Sequence, residues 1–98
     1  MIIVSNRELG ELYEKATESY HRCVNNPENT FLQDEISIPI DEIQLKRTKV
    51  KAVFTENIPE VYSWEVEIVL WDENAMIGRY TYIEDDMGNE IDNGLVFY

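Results

Sequence analysis

The 98-residue sequence contains few of the residues that most catalytic and metal sites require. It has one histidine, one cysteine and four glycines. A single cysteine cannot form an internal disulfide, and one histidine cannot build a two-histidine metal motif. His21 and Cys23 would point to different faces of a helix, so neither a thiol–imidazole pair nor a chelate is expected. The scattered glycines form no phosphate-binding loop. We therefore predict a protein that is not an enzyme and needs no metal or cofactor.

Long apolar runs are also missing. Beyond the N-terminus no run is longer than that of residues 68–71, which is far shorter than the ~20 residues of a membrane-spanning helix. Residues 1–4 lack the basic flank and the cleavage site of a signal peptide. Small secreted domains are usually cross-linked by disulfides, which one cysteine cannot provide. These features together predict a cytoplasmic protein.

Basic residues are scarce, with 8 Lys and Arg against 20 Asp and Glu and a net charge of −12. Nucleic acid and anionic lipid membranes need their phosphate charge neutralised by Lys and Arg, so neither is expected as a direct ligand. The imbalance is concentrated in residues 56–98, which carry eleven acids and a single base, Arg79. The four bases within residues 46–51 are predicted to pair with neighbouring acids or to protect an edge strand.

The apolar residues predict a single α+β domain over residues 1–98. One amphipathic helix is predicted over residues 6–24, because apolar side chains recur at helical spacing, and Ser5 with Glu8 fits a capping box. Apolar and polar residues alternate over residues 62–70, which is the clearest strand signal. Both faces of that strand become apolar toward its end, which indicates a central position. We predict that the helix packs on an antiparallel β-meander of three to five strands.

Other segments complete the predicted meander. Strands are expected over residues 46–54, 76–83 and 95–98, and a short strand with Pro39 on an unpaired edge over residues 36–40. Residues 41–45 could equally form one helical turn. Turns are expected at residues 57–59, 72–74 and 84–89 and at Asn93-Gly94.

The acidic segment over residues 84–92 does not fit a calcium-binding loop. An EF-hand loop needs glycine at its sixth position and acids at its first and third. Placing Gly88 sixth puts Ile83 first, and placing Gly94 sixth puts Ile91 third, so both registers fail. We predict an acidic hairpin tip, with weak nonspecific cation binding as the alternative.

The acids of the second half are predicted to form a surface that binds a basic protein. Glu65 and Glu67 would lie on the outward side of the clearest strand, and the other acids on the turns beside it. A fixed acidic surface attracts basic partners, and tryptophan is a frequent interface anchor. The alternative is that the charge serves solubility alone. The predicted partner-binding residues are Glu65, Glu67, Trp71, Asp72, Glu73, Glu84, Asp85, Asp86, Glu90 and Asp92.

Small size, strong acidity, the lack of site chemistry and an α+β layout with an acidic sheet resemble bacterial immunity proteins. These proteins neutralise basic nuclease toxins in polymorphic-toxin and contact-dependent inhibition systems. The resemblance implies a cytoplasmic inhibitor in a tight one-to-one complex with its cognate toxin, and mimicry of nucleic acid is a variant of that mechanism. The alternative function is a small-ligand-binding or enzyme-like α+β domain. Its pocket, between helix and sheet, would be lined by Tyr13, Tyr20, Trp64 and Tyr80.

Overall fold

The computed structural model describes residues 4–54 and 62–98. Within these residues the order of elements is α1 (Asn6–Asn25), β1 (Gln44–Phe54), β2 (Tyr62–Asp72), β3 (Ala75–Asp85) and β4 (Glu90–Phe97). Two 3-10 segments, Pro27–Glu35 and Ile40–Glu42, connect α1 to β1. The architecture is α+β as predicted, with one helix packed on a four-stranded antiparallel sheet.

Helix α1 begins where its capping signal predicts. The Ser5 hydroxyl accepts a hydrogen bond from the backbone N–H of Glu8 at 3.1 Å, which satisfies one of the unpaired donors of the first turn. Leu12, Ala16 and Tyr20 recur every fourth residue and are buried. This spacing gives the helix one apolar face. The predicted range of 6–24 is confirmed to within one residue.

The strands pair in chain order, and each runs antiparallel to the next. Strands β2 and β3 are therefore central, which confirms the central position predicted for residues 62–70. One face of the sheet, the inner face, packs on α1. The buried side chains of this interface are Leu12, Ala16, Tyr20, Val66, Ile68, Leu70, Tyr80 and Tyr82. Burying a large apolar side chain contributes about 1.5–3 kcal/mol, so helix and sheet stabilise each other.

The opposite face of the sheet, the outer face, has no covering layer within the described residues. Its members follow from the strand register and from the alternation of side chains. They are Gln44, Lys46, Lys49, Lys51, Val53, Ser63, Glu65, Glu67, Val69, Trp71, Met76, Arg79, Thr81, Ile83, Asp85, Asp92, Gly94 and Val96. The outer face is therefore a mixture of bases, acids and apolar side chains.

A bulge in β1 decides which bases lie on the outer face. The pairing of β1 with β2 shifts register between Arg47 and Lys49, because a bulge inserts one extra residue. Lys46, Lys49 and Lys51 therefore share the outer face. Arg47 instead faces α1, with its guanidinium 5.2 Å from the centre of the Tyr13 ring. Strand β1 is an edge strand, so the edge position predicted for this basic run is confirmed.

The short strand predicted over residues 36–40 is wrong. The chain bends there and enters the 3-10 turn Ile40–Glu42. The side-chain amide of Gln33 donates to the carbonyl of Ile38 at 2.7 Å and accepts from the backbone N–H of Ile40 at 2.9 Å. These bonds satisfy backbone groups that a strand would offer to a neighbouring strand, and the segment stays outside the sheet.

The turn predicted at Asn93-Gly94 is also wrong. Both residues lie inside β4 and pair with β3. Among the described residues only Gly88 has a positive φ, and it lies in the tight turn between β3 and β4. Glu84 and Asp85, predicted for that turn, belong to the last two positions of β3.

The remaining local predictions concern strand ends. The strands predicted over residues 46–54 and 76–83 are confirmed, each to within two residues at either end. The final strand begins earlier than predicted, at Glu90. Of residues 41–45, considered as one helical turn, only Asp41 and Glu42 belong to such a turn, because β1 begins at Gln44. The turn predicted at residues 57–59 lies outside the described residues.

Candidate functional site

The residues predicted to bind a partner do not all lie on one surface. Trp71, Asp72 and Glu73 lie at the end of the sheet where β2 turns into β3. The β3–β4 turn lies at the opposite end, because the 11 residues of β3 extend about 35 Å at about 3.3 Å per residue. Glu65 and Glu67 lie between the two ends, on the outer face. Five of the ten, Glu65, Glu67, Trp71, Asp85 and Asp92, share the outer face, whereas the other five lie at the two ends of the sheet or toward α1.

A cleft that the sequence did not predict lies at the β2–β3 end. Two adjoining hollows of about 260 Å³ and 510 Å³ share Ile38 and Asp72. Together they form the acidic cleft, which is lined by Glu35, Ile36, Ser37, Ile38, Glu42, Gln44, Asp72, Glu73, Ile77 and Tyr98. Four of these residues are acids and none is a base. The cleft combines negative charge with apolar side chains.

Three parts of the chain build the acidic cleft. Gln33 holds the bend around Ile38 through its two backbone hydrogen bonds. The tight β2–β3 turn places Asp72 and Glu73 at the end of the sheet. The pairing of β2 with β3 shifts register between Leu70 and Trp71, so Ile77 of β3 is the extra, unpaired residue of a bulge. This bulge brings Ile77 to the cleft.

The carboxylates of the acidic cleft have no basic partner among the described residues. Glu35, Glu42 and Glu73 are exposed and Asp72 is half-buried. The ion pairs within residues 4–54 and 62–98 use other acids. A cation that enters the cleft would therefore be attracted by several carboxylates, and none of the described lining residues is a base that would repel it.

Trp71 lies beside the cleft, on the outer face, and is half-buried. The ammonium of Lys46 lies 4.2 Å from the centre of its ring, a cation–π contact. The indole N–H is buried and has no hydrogen-bond partner among the described residues. An unpaired buried donor costs about 1–3 kcal/mol. The predicted interface anchor is thus already in contact with one of the protein's own lysines.

Glu65 and Glu67 are paired with bases across the β1–β2 ladder. Lys49 lies 3.2 Å from Glu67 and Lys51 lies 3.9 Å from Glu65. Opposite charges on neighbouring strands stabilise a sheet by about 0.2–1 kcal/mol per pair. The pairing predicted for the basic run with neighbouring acids is confirmed, and the negative charge at this place is neutralised locally.

Glu84, predicted as a surface acid, is buried. Glu84 is only 3% exposed. Strand β3 continues through the position where the turn was predicted, and the alternation of side chains along the strand directs Glu84 toward α1. Lys15 lies 3.4 Å from its carboxylate, and the Tyr82 hydroxyl donates to it at 3.0 Å. Burial, together with this hydrogen bond, raises the pKa of Tyr82. A buried carboxylate is stable only when it is paired, so Glu84 joins helix to sheet and does not face a partner.

Glu90 makes a second polar connection between α1 and the sheet. Buried Ser19 donates to the carboxylate of Glu90, and its oxygen lies 2.5 Å from the Tyr80 hydroxyl. Ser19 has only one proton to donate, so Tyr80 is the donor to Ser19. Burial raises the pKa of Tyr80. Arg22 adds an ion pair with Glu90 at 3.6 Å, and Glu90 therefore ties β4 to the helix.

Asp85 shapes the β3–β4 turn. Its carboxylate accepts hydrogen bonds from the backbone N–H groups of Asn89 and Met87, both at 2.9 Å. These bonds hold the pKa of Asp85 below its usual value. Asp86 and Asp92 are exposed and belong to no ion pair within the described residues. They are the acids of this end whose charge is available to solvent.

The four aromatic residues considered as a pocket lining belong to the core. Tyr20 and Tyr80 are buried, with ring centres 5.5 Å apart, and Tyr13 and Trp64 pack against the same cluster. Tyr20 also lines a cleft of about 190 Å³ between α1 and the Ile40–Glu42 turn. Its hydroxyl is buried without a hydrogen-bond partner in the described part of the chain, and burial raises the pKa of Tyr20 to about 12. The small-ligand alternative stays a prediction.

His21 and Cys23 have separate surroundings on α1. His21 is exposed beside the ring of Tyr20, and Cys23 is half-buried. Burial raises the pKa of the Cys23 thiol. Among residues 4–54 and 62–98, no three His, Cys, Asp or Glu side chains are placed to hold a metal ion. In the same ranges no helix is long and apolar enough to cross a membrane.

Comparison with known protein families, with curated proteins and with solved structures gives no match. The interpretation of the site therefore rests on this chain's own residues, and Glu35 and Glu42 are two that were not predicted to take part. They belong to residues 1–55, which hold nine acids and seven bases and so have a net charge of only −2. No local pattern signals their role, because it depends on where the connection between α1 and β1 packs.

Proposed function

We propose that the protein is an inhibitor of the immunity type, which binds a basic toxin or nuclease and occludes it. The observation that carries the proposal is the acidic cleft, with four carboxylates around apolar side chains and no base among the described residues that line it. The net charge of −12 supports it, because such a field attracts a basic partner from a distance and raises its association rate.

The acidic cleft suits a lysine or arginine side chain of the partner. The aliphatic stem of such a side chain packs on apolar surface while its charged head stays in a polar environment. In the cleft, Ile38 and Ile77 offer the apolar contact and Asp72 the carboxylate. Arginine can also bind a carboxylate through two parallel hydrogen bonds. We therefore expect a basic side chain as the partner's anchor.

The other predicted acids take different parts in this proposal. Asp86, at the opposite end of the sheet, adds to long-range attraction and lies too far away to contact the same anchor. Glu84 and Glu90 hold helix and sheet together through Lys15 and Arg22. Their substitution is expected to act on folding before it acts on binding.

Co-expression tests the proposed function. The first candidate partner is a basic protein encoded next to the gene of this chain. Its expression alone is expected to arrest growth, and co-expression of the inhibitor is expected to restore growth. The purified pair should form a one-to-one complex whose Kd rises steeply between about 50 and 300 mM salt, because salt screens exposed charges. A lack of both rescue and complex would contradict the immunity function.

Charge reversal tests the acidic cleft as the binding site. Asp72→Lys combined with Glu73→Lys is expected to weaken binding by about 10–100-fold at low salt, since both changes place like charge against the partner. The matched control, Glu14→Lys with Glu28→Lys, makes the same change in net charge at exposed positions outside the cleft. The control should bind within about threefold of the original protein. Equal effects of both double variants would show that overall charge, and not the cleft, governs binding.

A further inference from the structure

The outer face differs in charge from the rest of the chain. It carries four bases (Lys46, Lys49, Lys51 and Arg79) and four acids (Glu65, Glu67, Asp85 and Asp92). The other fourteen acids and four bases of the described residues have a net charge of −10. A second, equally acidic copy can therefore approach the outer face without net repulsion at the contact.

The outer face also presents apolar side chains. Val69, Trp71 and Ile83 lie on the two central strands and are half-buried. Met76 and Val96 are 45% and 44% exposed. Helix α1 covers the inner face, so within the described residues these side chains have no covering layer. Sheets with apolar residues on such a face commonly pack against another sheet at about 10 Å.

The size of the outer face is sufficient for a specific contact. Four strands about 4.8 Å apart, with paired stretches about 30 Å long, give roughly 570 Å² on each copy. Two copies would bury roughly 1,100 Å² in total, just above the ~1,000 Å² that a biological interface requires. We propose that the outer face pairs with the outer face of a second copy, so that two sheets form a β-sandwich dimer.

The arrangement of charges selects one orientation for this dimer. Lys51, Glu65, Ile83 and Asp92 form one row across the four strands. A two-fold axis parallel to the strands places β1 of one copy over β4 of the other and keeps the rows aligned. Lys51 of each copy then lies over Asp92 of the other. A two-fold axis across the strands would instead place the β1 lysines of both copies against each other, which like-charge repulsion disfavours.

Sedimentation velocity over about 1–200 μM protein tests the dimer. The area buried in this dimer lies near the lower limit for a specific interface. We therefore expect the 11.6 kDa monomer to convert reversibly to a species of twice that mass within this concentration range. A monomer at every concentration, or a larger assembly that does not stop at two copies, would overturn the proposal.

Two charge reversals test the orientation. Lys51→Glu lowers the net charge from −12 to −14 and Asp92→Lys raises it to −10. In the proposed dimer each single change weakens association at least about tenfold, because each places like charges face to face. The double variant restores the pair between copies with its signs exchanged but not the Lys51–Glu65 pair within each copy, so its Kd should be at least about threefold lower than that of either single variant.

The same variants separate the proposal from simple repulsion. If net charge alone governed association, Asp92→Lys would strengthen the dimer, as would the control Glu14→Lys, which also has a net charge of −10 and lies on the exposed side of α1. A stronger dimer in Asp92→Lys, or no recovery in the double variant, overturns the proposed orientation. Circular dichroism of each variant shows whether its fold is retained, so that loss of folding is not counted as loss of the dimer.

Discussion

Tyr20 and Tyr80 are neighbours in the core, but their hydroxyls have different surroundings. The Tyr80 hydroxyl lies 2.5 Å from Ser19, whereas the Tyr20 hydroxyl is buried with no partner in the described part of the chain. A hydrogen bond of this kind contributes about 1 kcal/mol to stability, and an unpaired buried polar group costs about 1–3 kcal/mol. Two tyrosines of the same size and burial are therefore expected to respond differently to loss of the hydroxyl.

We predict that Tyr20→Phe leaves the free energy of unfolding unchanged or raises it by about 1 kcal/mol, because it removes an unpaired polar group. Tyr80→Phe should lower it by about 1–2 kcal/mol, because Ser19 loses its donor in a buried position. Urea unfolding of both variants, followed by circular dichroism, measures the difference. Each variant is the control for the other, and equal changes in the two would contradict the assignment of these hydrogen bonds.

Gly78 lies in close contact with strand β4. A Cβ atom at Gly78 would collide with the backbone carbonyl of Val96 and would lie 3.1 Å from the ring of Phe97. A Cβ atom at Gly94, on the facing strand, would meet nothing within 4 Å. Position 78 requires glycine because a side chain there would collide with β4, and not because its backbone needs the conformational freedom of glycine.

Gly78→Ala is predicted to lower the free energy of unfolding by about 1–3 kcal/mol, because β4 must shift to make room. Gly94→Ala should leave it unchanged or raise it by up to about 1 kcal/mol, since alanine loses less conformational entropy on folding. Thermal and urea unfolding compare the two. Hydrogen exchange should also show faster exchange in β4 for Gly78→Ala alone, and a stable Gly78→Ala variant with unchanged exchange would contradict the close approach.

Helix α1 and strand β2 could be predicted from the sequence because their apolar spacing is long and regular. The early part of β4 could not, because Asn93-Gly94 is typical of a turn and only pairing with β3 keeps it extended. Residues 36–40 alternate like a strand, but the side chain of nearby Gln33 bonds the carbonyl of Ile38 and the N–H of Ile40. Local patterns therefore predict an element well only when neither strand pairing nor a side-chain hydrogen bond to the backbone competes with them.

The candidate site was predictable to a similar extent. Asp72 and Glu73 could be placed because a turn signal follows a clear strand. Glu84 could not, since its burial depends on where β3 ends. Glu35 and Glu42 reach the acidic cleft through the packing of a connection that has no repeating pattern. Charge and turns are visible in the sequence, whereas the meeting of distant segments is not.

Buried tyrosines of the helix and of the sheet lie in the interface between these two layers. Tyr20 lies on α1, Tyr80 and Tyr82 lie on β3, and burial raises the pKa of all three. In the unfolded chain a tyrosine loses its proton near pH 10, as in model peptides. Above that pH the folded state binds more protons than the unfolded state, so the free energy of unfolding falls as pH rises.

We predict that tyrosine titration leaves stability unaffected below about pH 9 and lowers it from about pH 10 upward. With the pKa of Tyr20 at about 12, this residue alone accounts for roughly 2–3 kcal/mol by pH 12. Urea unfolding at pH 8 to about 11.5 measures the decline, and absorbance at 295 nm follows the late titration of the buried phenols. The decline should be shallower in Tyr20→Phe, and an identical slope in that variant would contradict the assignment.

The order of the strands in the sheet has a consequence for how the chain folds. Since every strand pairs with its neighbour in the sequence, the sheet can close hairpin by hairpin at a small cost in loop entropy. Helix α1 is different, because it contacts β2 and β3 across a long separation. We expect its docking to follow formation of the β2–β3 hairpin. During synthesis the apolar face of α1 therefore stays exposed to solvent until β3 has left the ribosome. The chain is most prone to aggregation during this interval.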